Sequence, residues 1–241
     1  MKLVHVQLRA ELRRVANNGE QLLLTLGIPV LLLVFFSLVD VLPTGTPEPI
    51  DFLAPGILAL ATISAAMVSL GIGTGFERSY HVLKRLGTTP LGRPRLIGAK
   101  IGSVVAVEVV QFAVLIPVAY ALGWNPDSPN WLLAVVAVIV GTVAFAGIGL
   151  TLAGRLRGEI NLAAQNGLYL VLLLLGGMVI PFVELPGPIR AVAHALPSGA
   201  FADVLRDTLS NAGTQPARSW IVLGLWAVIA PTLAARLFRW D

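Results

Sequence analysis

Apolar residues in this chain fall in long unbroken runs, not in alternation with polar ones. Six runs approach the length of a membrane crossing: Leu22–Leu42, Phe52–Phe76, Ala99–Gly123, Trp131–Ala153, Asn161–Pro181 and Ser219–Phe238. A helix needs about 20 mostly apolar residues to cross the hydrocarbon core. Spanning β-strands would alternate over only about ten residues. The pattern predicts an all-α integral membrane fold of six transmembrane helices in a single domain, residues 1–241. Ahead of the first run, Val4, Leu8, Leu12 and Val15 recur every three or four residues, with Arg9, Arg13 and Arg14 largely off that stripe. Residues 1–20 therefore read as an amphipathic helix lying in the membrane interface, its basic residues near lipid head groups. The run that follows is of spanning length with no small-x-small cleavage site after it, so it reads as a retained span and not a secretory leader.

Composition agrees with the pattern. Only 12% of the 241 residues are charged and 56% are hydrophobic, where a soluble domain carries about a quarter charged residues. In a soluble protein the net charge of +4 would suggest nucleic acid. Here the position of the charges gives a different explanation. Fourteen of the 17 Lys and Arg fall in the N-terminal arm, the second and fourth connections and the C-terminus. The other side has only Arg190, Arg206 and Arg218. The positive-inside rule then places both termini in the cytoplasm, in the plasma membrane of the cell. The first external connections are short and prolyl, with Trp124 and Trp131 flanking the second as interfacial anchors. Residues 182–218 are too polar to span and too patterned for a plain loop.

Candidate chemistry is sparse. There is no cysteine, which removes disulfides, thiolate catalysis and Cys-ligated metals. The three histidines are scattered, and no HExxH, Gly-x-Ser-x-Gly elbow or phosphate-binding P-loop occurs. Few polar groups lie deep in the spans. Glu108 and Gln111 share one face of the third run about one turn apart. They would either line a translocation path or pack between helices, because an ionisable group facing lipid costs at least a few kcal/mol. Asn161, Gln165 and Asn166 open the fifth run at helical spacing, suited to interhelical hydrogen bonds or to substrate contact. Gly71-x-Gly73-x-Gly75 and Gly98-x-x-x-Gly102 offer close helix approach.

The densest cluster of charge is the second connection, residues 77–98, inside FERSYHVLKRLGTTPLGRPRLIGAK (Phe76–Lys100). Glu77-Arg78, Leu83-Lys84-Arg85-Leu86, Thr89-Pro90-Leu91 and Lys100 resemble the signature of the type-2 ABC exporter permeases. Leu185-Pro186, Leu196-Pro197 and Arg206 are similar to that family's pattern after the fifth helix. The likeness covers the whole chain, and the drug-resistance permeases of the daunorubicin type are the nearest members. It departs from them at His81-Val82, where many relatives have Gly-Thr, in its short external loops, and in a compact fourth connection, GRLRGEI.

The resemblance implies a permease subunit, not an enzyme, for an ATP-driven exporter of an amphiphilic drug or lipid. Residues Ser79 to Leu86 would form a coupling helix ended by Thr88, Thr89 and Pro90. Glu77, Arg78, Leu83, Lys84, Arg85 and Leu86 would make the ATPase contact, with the charges at its rim. The partners it implies are a cytosolic ABC ATPase dimer, a second permease copy or a sister permease, and membrane lipids, with no nucleic acid. No cofactor is expected on this chain, and ATP and Mg are expected on the ATPase. Residues 182–218 would form short re-entrant helices before the sixth span, with backbone buried in protein or facing a water-filled cavity. The rival class is an ATPase-independent secondary transporter or channel using Glu108. An assembly subunit is a third class, and an intramembrane enzyme fits least, for lack of a catalytic constellation.

Overall fold

The computed structural model describes residues 2–17, 19–39, 49–87, 93–126, 128–210 and 216–238, and all regular structure among them is helical. Helices α1 (Lys2–Asn17) and α2 (Gly19–Leu38) come first, followed by α3 (Pro49–Ile63), a π-helical stretch Ser64–Ser69 and α4 (Leu70–Ser79). The short α5 (Val82–Gly87), the long α6 (Arg93–Ala121), α7 (Trp131–Ala153) and α8 (Gly158–Leu175) succeed them. A 3₁₀ turn (Phe182–Glu184), α9 (Gly187–Ala193), α10 (Pro197–Ser210) and α11 (Pro216–Leu237) complete the chain.

Local chemistry sets several helix starts. Pro49, Pro197 and Pro216 open α3, α10 and α11, at positions where a missing N–H costs nothing. Asn130 caps α7, its side-chain oxygen accepting the Leu133 N–H at 3.1 Å. Pro29, Pro55, Pro117 and Pro231 lie inside helices, as membrane helices tolerate when neighbours re-satisfy the freed carbonyls.

Among the described residues five helices are long and apolar enough to cross a membrane: Pro49–Ser79, Arg95–Ala121, Trp131–Ala153, Gly158–Leu175 and Pro216–Leu237. The apolar part of α2, Thr25–Leu38, is shorter. The Pro49–Ser79 rod is the centre of the bundle, with 83% of its apolar stretch buried in the protein against 17–50% in the other four. Around it α7 packs on α11, α10 and α4, α2 packs on α3, and α8 packs on α4. The apolar surfaces of the outer helices, such as Leu132, Val135 and Ile139 on α7, are exposed. In water such surface would be unfavourable, and in a bilayer it is the wall that faces lipid.

Boundaries differ from the sequence expectation for physical reasons. Helix α8 stops at Leu175 and does not run to Pro181, because Gly177 takes φ +63 and the Phe182 ring occupies the space a Cβ there would need. Helix α6 begins at Arg93, so the last residues of the expected basic loop belong to a helix. Trp124, expected as an interfacial anchor, is 1% exposed and packs on Tyr120 and Trp131, while Trp131 stays at the surface. The α1 helix packs along α6, with Leu8 against Gly102.

Candidate functional site

The basic end of the bundle is built on the last turn of α4. The Arg78 guanidinium donates to the Leu156 carbonyl at 2.6 Å, and Ser79 Oγ accepts the Gly158 N–H at 3.0 Å. These two bonds staple the α7–α8 connection to the start of the basic segment. At His81 the backbone turns with φ 59, in the left-handed region that favours glycine. The α5 helix then starts at Val82, three residues after the expected Ser79.

Leu83 is 1% exposed and packs with Leu96 and Phe238, which anchors α5 to the bundle. Lys84 and Arg85 are exposed on its other face. The side chain of Leu86, and Thr88, Thr89 and Pro90, lie outside the described residues. Beside α5 an open cleft of about 550 Å³ is lined by Phe76, Tyr80, His81, Arg157, Glu159 and Ile160. The compact α7–α8 connection thus forms one wall of the same surface.

One of the expected rim charges faces inward. Glu77 is 6% exposed, and its Oε2 lies 2.6 Å from the Lys100 ammonium. Lys100 is also 3.3 Å from Glu11 Oε1, which in turn accepts from Gln7 at 2.8 Å. The cluster joins α1, α4 and α6 at the edge of the bundle. Sequence reading paired none of these residues. The one available signal was that Glu11 falls between Leu8 and Leu12 on the side of α1 that also carries the apolar stripe.

Each of the four polar candidates in the spans is held in a hydrogen bond between helices. Both Glu108 oxygens accept from the Thr142 hydroxyl at 2.9 Å, and that hydroxyl also reaches the Val138 carbonyl at 2.8 Å. Gln111 donates to the Thr25 carbonyl at 2.8 Å and ties α6 to α2. On α8, Asn161 donates to the Gly71 carbonyl and Gln165 to the Gly149 carbonyl, both at 2.9 Å, and Gln165 also reaches Asn161 at 3.3 Å. Side chains at Gly71 and Gly75, one turn apart on α4, would collide with Gln165 and Asn161. The glycine pattern exists to admit these amides, a helix-packing use of both motifs. Glu108 and Thr142 border an apolar groove of about 310 Å³ between α6 and α7.

A further buried charge was visible in the sequence only as a family match. Arg206, on α10, is 4% exposed. It donates to the carbonyls of Gly177 at 2.5 Å, Met178 at 3.4 Å and Phe52 at 3.4 Å, and stacks over the Phe52 ring at 3.8 Å. Its guanidinium ties down the break after α8 by satisfying the carbonyls of Gly177 and Met178 in the non-helical backbone.

Helices of spanning length, with apolar outer walls and a charged helical element at one end, mark a polytopic membrane protein. Residues 42–236 match the family described as "ABC-2 family transporter protein", and the chain belongs to that family. It is also 27% identical, over 207 residues and 83% of each chain, to the "Putative transport permease YvfS" of Bacillus subtilis (strain 168). Membership makes it a membrane transport subunit of an ABC transporter, a permease type that carries no ATPase domain of its own and normally works with an ABC ATPase.

Proposed function

We propose that this chain is the permease of an ATP-driven exporter, with six spans, α2 supplying the first. Both termini face the cytoplasm, in the plasma membrane. It works as a dimer with a second copy or a sister permease, on a cytosolic ABC ATPase dimer that holds the ATP and Mg. The cargo is an amphiphilic drug or lipid, a class that includes antibiotics, and drug resistance would follow.

The observation that carries this reading is the construction of α5. Lys84 and Arg85 are presented outward on a helix whose Leu83 is seated in the bundle, beside the cleft walled by Arg157 and Glu159. A groove on the ATPase can bind such an element and move it as a unit. Displacement would pass to α4 directly, to α8 through Arg78 and Ser79, and to α1 and α6 through Glu77 and Lys100. ATP binding can shift the permease between two states only by stabilising one over the other, and this tethered element gives it the contact to do so. Charge reversal at Lys84 and Arg85 tests the reading. Transport in inverted vesicles should be lost with expression and ATPase assembly intact. Unchanged transport across several such variants would overturn it.

A further inference from the structure

The groove between α6 and α7 is apolar along its length except at one point. Glu108 and Thr142 stand among side chains such as Val105, Phe112, Val138 and Leu205. Val109, Val135 and Ile139 at its margin are exposed, so the groove opens sideways toward the hydrocarbon. Its volume of about 310 Å³ is at the small end of ligand sites, which run from about 300 to 1,000 Å³.

Glu108 is 97% buried by the protein, being 3% exposed. Its two oxygens offer about four acceptor sites. They share one hydroxyl hydrogen, on Thr142, with the Val138 carbonyl as a third claimant. No Lys, Arg or His is among the residues lining the groove. A carboxylate with so little donation in an apolar site is costly, and the cost is relieved by taking up a proton or by a cation that joins it.

We propose that this groove binds a lipophilic amine entering from the membrane, its ammonium against Glu108 and its apolar body along α6 and α7. An ammonium brings up to three N–H donors and the missing positive charge to the carboxylate, and Phe112, one turn along the same helix, adds an aromatic wall beside it. An aminophospholipid fits worse, because its phosphate would enter a groove with no cation to pair it. The inference rests on the exporter reading only for the purpose of binding, which would be cargo capture from the bilayer.

The test uses the full chain in phosphatidylcholine nanodiscs, with equilibrium binding of radiolabelled dodecylamine and dodecanol. Wild type should bind dodecylamine saturably, one per chain, and dodecanol far more weakly. Glu108→Gln should weaken amine binding roughly tenfold or more, the range for losing a hydrogen bond to a charged group. Ile139→Trp, which fills the groove from its margin and leaves the carboxylate in place, should also reduce it and keeps the test open if Glu108→Gln misfolds. Equal affinity for amine and alcohol, undiminished binding in either folded variant, or displacement of the amine by added phosphatidylethanolamine would overturn the proposal. Binding needs no ATPase, so its absence alongside intact ATP-driven transport would sink this inference and leave the exporter reading standing.

Discussion

Replacing Lys100 by methionine should be among the most damaging single changes in the chain. The ammonium lies 2.6 Å from Glu77 and 3.3 Å from Glu11, with side chains only 7% exposed. At an effective dielectric of about 20, each contact corresponds to about 5–6 kcal/mol of Coulomb attraction before desolvation is subtracted. Removing the cation takes the ammonium away from two buried carboxylates, and breaking a buried ion pair by removing one partner costs about 3–5 kcal/mol. That is a large fraction of the ~5–15 kcal/mol that holds a typical domain folded.

Glu77→Gln should cost less, about 1–3 kcal/mol, because Lys100 keeps Glu11 and the amide can still hydrogen-bond. The double variant should lose less than the sum, leaving a coupling of about 1–3 kcal/mol. Equilibrium unfolding in mixed micelles on titration with SDS gives the four stabilities of the cycle. Additivity within ~0.5 kcal/mol, or a Lys100→Met loss under ~1 kcal/mol, would refute the claim that this cluster binds α1 and α4 to α6.

Other consequences can be measured in the same preparations. Gly71→Leu should abolish folded yield by driving a side chain into Gln165, and pairing Gly71→Ala with Gln165→Ala should recover part of the loss seen with Gly71→Ala alone. Arg206→Lys should destabilise by about 2–4 kcal/mol despite keeping the charge, since an ammonium cannot reproduce the fork onto three carbonyls or the stack on Phe52. At His81, glycine should be tolerated with transport retained, whereas valine should cost about 1–2 kcal/mol for a β-branched residue at φ 59. Thermal melts of the purified variants decide each case.

The helices were legible because continuous apolar length is a strong signal, and the sites were less so because they depend on which face turns inward. Five runs reappear as helices long and apolar enough to span. The early end of α8 was hidden, since Gly176-Gly177 reads equally as packing glycines or as a break until Phe182 is seen filling the space beside it. The π-helical stretch Ser64–Ser69 has no sequence mark among small residues. Glu77 looked like a solvated member of a basic loop, and its partners, Lys100 and Glu11, are separated from it by 23 and 66 positions. Arg206 sat in a segment too polar to span, and nothing in its pattern showed that α10 buries almost all of its residues. In contrast, helical spacing put Asn161 and Gln165 on one face of the fifth run, and both amides on that face bond to α4 and α7.

The central claim is that α5 is where an ATPase drives this permease. The most direct test is to purify the tagged chain from its native membranes in mild detergent and measure ATP hydrolysis in what co-purifies. The account predicts a stoichiometric soluble subunit with a P-loop whose hydrolysis responds to the permease and loses that response in Lys84→Glu/Arg85→Glu. A chain that purifies alone, stable and monodisperse, and transports under a proton gradient without ATP would contradict it.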